Sequence, residues 1–129
     1  MIAVSLIGVG ILALLSLQPS AWNLSGRSDR LGRAGGMLHN ELEANEMLLM
    51  NPNYPNPCSA ANLFIPAAKT VRPSGLGADA PGDFPFTVAT NILDNLNGTW
   101  RVSVTVTWPG NATGISDTRI VTRQEHFKY

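Results

Sequence analysis

Charge is scarce in this chain: 14% of its residues are charged and none of them precedes Arg27. Soluble globular domains carry about 25%; at 129 residues the chain supports one compact domain, with part of its apolar content already committed to the N-terminus. Nine basic and nine acidic residues cancel; taken globally, nothing points to nucleic acid or to an acidic membrane surface. The single cysteine, Cys58, excludes an internal disulfide and any multi-cysteine zinc site. It is expected to act as a small buried hydrophobe, the alternatives being a lipidated or intermolecularly paired thiol. A glycine-rich phosphate loop, a paired-histidine metal motif and a nucleophile elbow are all missing. His39 and His126 are far apart, and His39 with Glu43 at i+4 falls short of a ligand set and fits a solvated helix face. Asp79, Asp83, Asp94 and Asp117 are scattered without the spacing of a calcium loop. The expectation is a protein that is not an enzyme and uses no cofactor and no metal.

What is present begins with the first seventeen residues, MIAVSLIGVGILALLSL, ended by Gln18-Pro19. At roughly 1.5 Å per residue, extension to Trp22 gives about 33 Å of helix, against a hydrocarbon core of about 30 Å. Trp22 would then sit at an interface. A cleaved signal peptide would show a basic n-region and a small-x-small cleavage site, which Leu-Ser-Leu-Gln-Pro does not supply. A buried core helix would need more apolar surface around it than the rest of the chain offers. A plain single-span anchor remains open, and Ser5, Gly8, Ala13 and Ser16 would let neighbouring helices approach closely. Pro19 removes one backbone donor and is expected to kink or open the helix around Leu15 to Gln18. Arg27, Arg30 and Arg33 come after the span; the positive-inside tendency alone would place the C-terminal domain in the cytoplasm.

Leu24, Leu31, Leu38, Leu42 and Leu49 share one helical stripe, with Arg27, Arg30, Glu41, Glu43 and Glu46 mostly off it. The helix is therefore expected to continue, amphipathic, to Met50 and to stop at Asn51-Pro52. Gly26, Gly32, Gly35 and Gly36, at roughly 1 kcal/mol each relative to Ala, predict a flexible or partly unwound middle. Residues 51–85 hold seven of the nine prolines and read as an irregular connection with an apolar island at Leu63-Phe64-Ile65. A loop this long is itself a candidate functional surface. Phe86 to Ile92 reads as a strand, and Asn97-Gly98 as a two-residue hairpin turn. Trp100, Val102, Val104, Val106 and Trp108 alternate with polar residues at period two. Pro109-Gly110-Asn111 predicts a turn, and Thr118 to Gln124 a third strand. The one apolar face of such a sheet needs a helix to cover it, and the leucine stripe is the candidate. Asn23, Asn97 and Asn111 stand in glycosylation-type triplets, two of them in expected turns where Asn is common anyway.

The segments MIAVSLIGVGILALLSLQ, ELEANEMLLMNP and WRVSVTVTW together resemble type IV pilin-like proteins, above all minor pilins of the PilV type and the minor pseudopilins of type II secretion. The likeness covers roughly residues 1–50 and 99–124, with its more specific part at the N-terminus. It implies an α+β fold in which a long N-terminal helix, apolar in its first half and amphipathic in its second, packs on a small antiparallel β-sheet. Four regions result: 1–22, the transmembrane or filament-core helix; 23–50, its amphipathic half; 51–85, the loop; and 86–129, the sheet head. The assembly helix would use Ile2, Val4, Leu6, Ile7, Val9, Ile11, Leu12, Leu14, Leu15 and Leu17, with Pro19 at its end. Helix-on-sheet packing would use Leu24, Leu31, Leu38, Leu42, Leu49, Trp100, Val102, Val104 and Val106. The implied partners are other pilin or pseudopilin subunits, with inner-membrane lipid before assembly and no nucleic acid. The implied location is the bacterial inner membrane with a periplasmic head, then the pilus or pseudopilus. Ser5 stands fifth where the family carries Glu in its mature chain, after a short basic leader ending in Gly. The expectation is that this sequence begins several residues inside the mature helix, just after a Glu-Val pair. The alternative function is a single-span anchored binding domain that does not polymerise, with the 51–85 loop as its ligand surface.

Overall fold

The computed structural model describes residues 2–58, 62–75, 82–96 and 98–123. The fold is α+β: one long helix, α1 (Ile2–Met50), and an antiparallel sheet of five strands. The strands are β1 (Leu63–Phe64), β2 (Lys69–Val71), β3 (Phe86–Asp94), β4 (Thr99–Trp108) and β5 (Asn111–Thr122). The order is β1-β3-β4-β5, with β2 also paired to β3. The chain divides into two compact units, one ending at Gly32 and the other beginning at Arg33.

In the first unit α1 is helical throughout, Pro19 included. The local opening expected at Leu15 to Gln18 is not found, nor is an unwound stretch at Gly26 to Gly36. Pro19 removes a single bond from the ladder while the turns on both sides keep theirs, and glycine lowers helix propensity without removing any donor.

In the second unit Ala34, Leu38, Leu42 and Leu49 of α1 are buried against the sheet. Their partners come from alternate positions of the strands: Phe86, Val88 and Ile92 on β3; Trp100, Val102, Val104 and Val106 on β4; Val121 on β5. Period two puts these on one face, and register aligns them, with Val88 opposite Val106 and Ile92 opposite Val102. Leu24 and Leu31 do not join this core; they are 67% and 51% exposed. They keep the helical phase of the stripe, but the unit containing the sheet begins only at Arg33, and the inward side chains of the strands are taken up by Ala34 to Leu49.

Three further expectations need correction. The 51–85 connection contains two short strands, with Leu63 and Phe64 pairing Leu93 and Ile92, and Lys69 to Val71 pairing Val88 to Phe86. The last strand starts at Asn111, well before Thr118; its expected end at Gln124 lies outside the described residues. The β3–β4 connection is longer than a two-residue turn. Thr99 N–H donates to Leu96 O, closing a turn over 96–99, but Asn95 N–H is the group that reaches Thr99 O. Leu96, at φ 69°, is thereby added to the loop; Asn97 is outside the described residues.

The helix does end at Met50, and Asn51 organises the exit, its Oδ1 accepting from Asn53 N–H and its carbonyl from Tyr54 N–H. Pro109 and Gly110 form the β4–β5 turn between paired Trp108 and Asn111, Gly110 taking φ 87°.

Candidate functional site

The candidate site is the apolar part of α1. Val4, Leu6, Ile7, Val9, Ile11, Leu12, Leu14, Leu15 and Leu17 are all between 51% and 74% exposed. Pro19 is exposed as well, and the side chain of Ile2 is outside the described residues. The most apolar window of the helix has a mean hydropathy of 1.8 and no share of it is buried. One helix is thus long and apolar enough to cross a membrane. A helix that is greasy all round needs either lipid or other helices around it. Trp22, 77% exposed, stands just over one turn after the last leucine of this run.

Of the residues expected to join helix to sheet, the structure brings together Leu38, Leu42, Leu49, Trp100, Val102, Val104 and Val106, and leaves out Leu24 and Leu31. Reading leucines alone missed Ala34, which is fully buried. It stands one turn before Leu38, and that spacing was the available signal.

Polar contacts fasten this unit at three places. Glu41 Oε1 accepts from Lys69 Nζ at 2.9 Å, Thr90 Oγ1 at 3.3 Å and Asn45 Nδ2 at 3.3 Å. Thr90 is the buried polar residue on the inward face of β3, so Glu41 satisfies a hydroxyl that would otherwise be costly there. Burial pushes the Glu41 carboxyl up, but the Lys69 ammonium, with help from Asn45 and Thr90, outweighs it and holds the group below its ordinary value. On another flank Arg119 Nη1 meets Glu46 Oε2 at 2.7 Å, and Arg119 Nη2 lies 3.4 Å from His39 Nδ1. His39 pairs with Glu43 at 2.9 Å across one turn, on an exposed face. At the end of α1, Arg123 Nε donates to Leu49 O at 2.7 Å and Nη2 to Tyr54 O at 3.2 Å, the guanidinium standing 4.9 Å from the Trp100 ring centre. A cation there satisfies a helix-terminal carbonyl and opposes the negative end of the helix dipole.

Cys58 is buried and its Sγ–H points to Ile92 O at 3.4 Å. Burial, and then the nearby Asp94 charge, push its thiol up, which disfavours the reactive thiolate. The acids noted in the sequence make separate contacts: Asp83 accepts from Ser74, Asp94 from Asn56 and from Leu96 N–H, and Asp117, within β5, from Thr118 N–H. Asp79 and His126 lie outside the described residues, among which no group of three or more His, Cys, Asp or Glu could hold a metal ion. Asn111 accepts from Gly114 N–H and Asn23 is inside α1. No protein-family model, curated protein or solved structure matches this chain.

Proposed function

We propose that this chain is a structural subunit, a minor pilin or pseudopilin. Its N-terminal helix would hold it in the bacterial inner membrane with the sheet unit in the periplasm. From there it would assemble through that helix into a type IV pilus or a type II secretion pseudopilus. The observation that carries the reading is a contrast within α1: residues 4–17 expose apolar side chains on every side, whereas Ala34 to Leu49 are amphipathic and packed.

In a bilayer the lipid tails are as apolar as leucine, so there is no hydrophobic penalty for a helix that trades them for helical neighbours. Close packing and small residues then decide the balance. The partners are other pilin or pseudopilin subunits, and before assembly the lipid itself. As a minor subunit it would initiate, cap or adapt a filament whose bulk is built by another chain.

The test is in-cell crosslinking from a cysteine placed at Leu6 or Ala13, with buried Cys58 as an unreactive background. The expected product joins this chain to a pilin or pseudopilin. Crosslinks to lipid-facing reagents alone, with no such partner, would leave the anchored binding domain and remove the assembly reading.

A further inference from the structure

The outer face of the sheet, turned away from its core, is rich in hydroxyls and poor in charge. Register sets Asn91 of β3 beside Ser103 of β4, and Ser103 beside Thr118 of β5. In the next row Leu93, Arg101 and Ile120 stand side by side. On this face β3, β4 and residues 116–120 of β5 carry no carboxylate, and Arg101 is their one charged residue. Arg101 is exposed and makes no ion pair or hydrogen bond among the described residues. Its guanidinium stays protonated and offers five donors in a planar fork.

β1 adds a wall to this face. Leu63 pairs Leu93, and Leu63, Asn91, Leu93, Arg101 and Ser103 line a hollow of about 110 Å³. A molecule of liquid water takes up about 30 Å³, so the hollow has room for a carboxylate and a few carbons. The two leucines supply the apolar part of its lining; the Arg101 fork, the Asn91 amide and the Ser103 hydroxyl supply the polar part. Ser103 Oγ is held 2.9 Å from Thr118 Oγ1 and keeps further hydrogen-bonding capacity.

We infer that this hollow binds a monocarboxylate carried on a short apolar group, its carboxylate on Arg101 and its apolar part against Leu63 and Leu93. One guanidinium matches one carboxylate in charge, and its fork matches it in geometry. A phosphate would bring a second negative charge with no second cation to meet it, and would leave the leucines without an apolar partner. Two sources have this chemistry: a free short-chain acid, and the C-terminal carboxylate of a peptide ending in a small apolar residue. The hollow belongs to the sheet unit, so the inference does not depend on what residues 1–22 do.

The test is a titration of the full chain in detergent, isotopically labelled at its arginine nitrogens and followed through the Nε–H signals. Loss of one signal in Arg101→Lys identifies that of Arg101. Sodium butyrate at constant ionic strength is expected to shift the Arg101 signal saturably and the other arginine signals little. Butyramide, its uncharged counterpart, is expected to leave the signal in place. Asn91→Asp sets a carboxylate diagonally across from Arg101, about 7–8 Å away at the backbone. With the fork engaged internally, butyrate should bind at least about tenfold more weakly, while the circular dichroism of this exposed-site variant stays that of wild type. Absence of a saturable shift, equal shifts of all arginines, an equal response to butyramide, or undiminished binding in Asn91→Asp would overturn the proposal. Acetyl-alanyl-valine separates the two sources: binding tighter than butyrate assigns the hollow to a peptide terminus, and weaker binding to a free acid.

Discussion

Gly114 shows how much one missing methyl group can decide. It sits at φ 64° in β5, where a Cβ would lie 2.1 Å from Val106 O. The register explains why: Trp108 pairs Asn111 and Val106 pairs Ile115, so β5 carries extra residues opposite Thr107. The Pro109-Gly110 order fits a type II turn, which matches hairpin twist poorly, and the bulge after it re-aligns the strands. Gly110 is also left-handed, but nothing lies near its missing Cβ. Gly114→Ala is therefore expected to cost about 3 kcal/mol and Gly110→Ala about 1 kcal/mol, read from thermal unfolding tracked by circular dichroism. Glu41 gives a pH prediction. Its folded value is depressed below 4.5, so its contribution is complete above 4.5 and is lost as pH falls through the lower folded value. Wild type should be more stable than Glu41→Gln at neutral pH, and the gap should close only under acid. A gap independent of pH would contradict the Lys69 pairing. Neither residue could be assigned its role from sequence, because Val106 and Lys69 come from other strands.

At the scale of elements, α1 was legible in its limits and its apolar run, but not in where its packing begins. The leucine stripe is in phase from Leu24 to Leu49, and phase alone carries no information about how much sheet there is to cover it. Leu42, 1% exposed, and Leu31, 51% exposed, separate the two situations. Leu42→Ala should destabilise the sheet unit by about 3 kcal/mol, and Leu31→Ala by less than about 0.5 kcal/mol, in the same unfolding assay. Equal costs would mean that Leu31 is packed after all. β3 and β4 were legible because each buries one face and alternates accordingly. β5 was legible only in its second half, from Thr118 on; its first half was not, since β5 is paired on one side only and its burial does not alternate. β1 and β2, two and three residues long, are held in place by β3 and are too short to show a period.

At the scale of the whole molecule, two physical tendencies oppose each other. Arg27, Arg30 and Arg33, coming directly after an apolar helix, favour a cytoplasmic location for the sheet unit, whereas assembly into a periplasmic filament requires the opposite side. The α+β architecture was legible because a one-faced sheet and an amphipathic helix complete each other. The orientation is not encoded in packing, because the same core forms on either side of a membrane. It can be read directly from a cysteine placed at Ile120, which is 72% exposed on β5, in cells producing the full chain. With the outer membrane permeabilised and the inner membrane intact, a membrane-impermeant maleimide should label Ile120→Cys. Labelling that occurs only after the inner membrane is broken would place the sheet unit in the cytoplasm and contradict assembly from the periplasm.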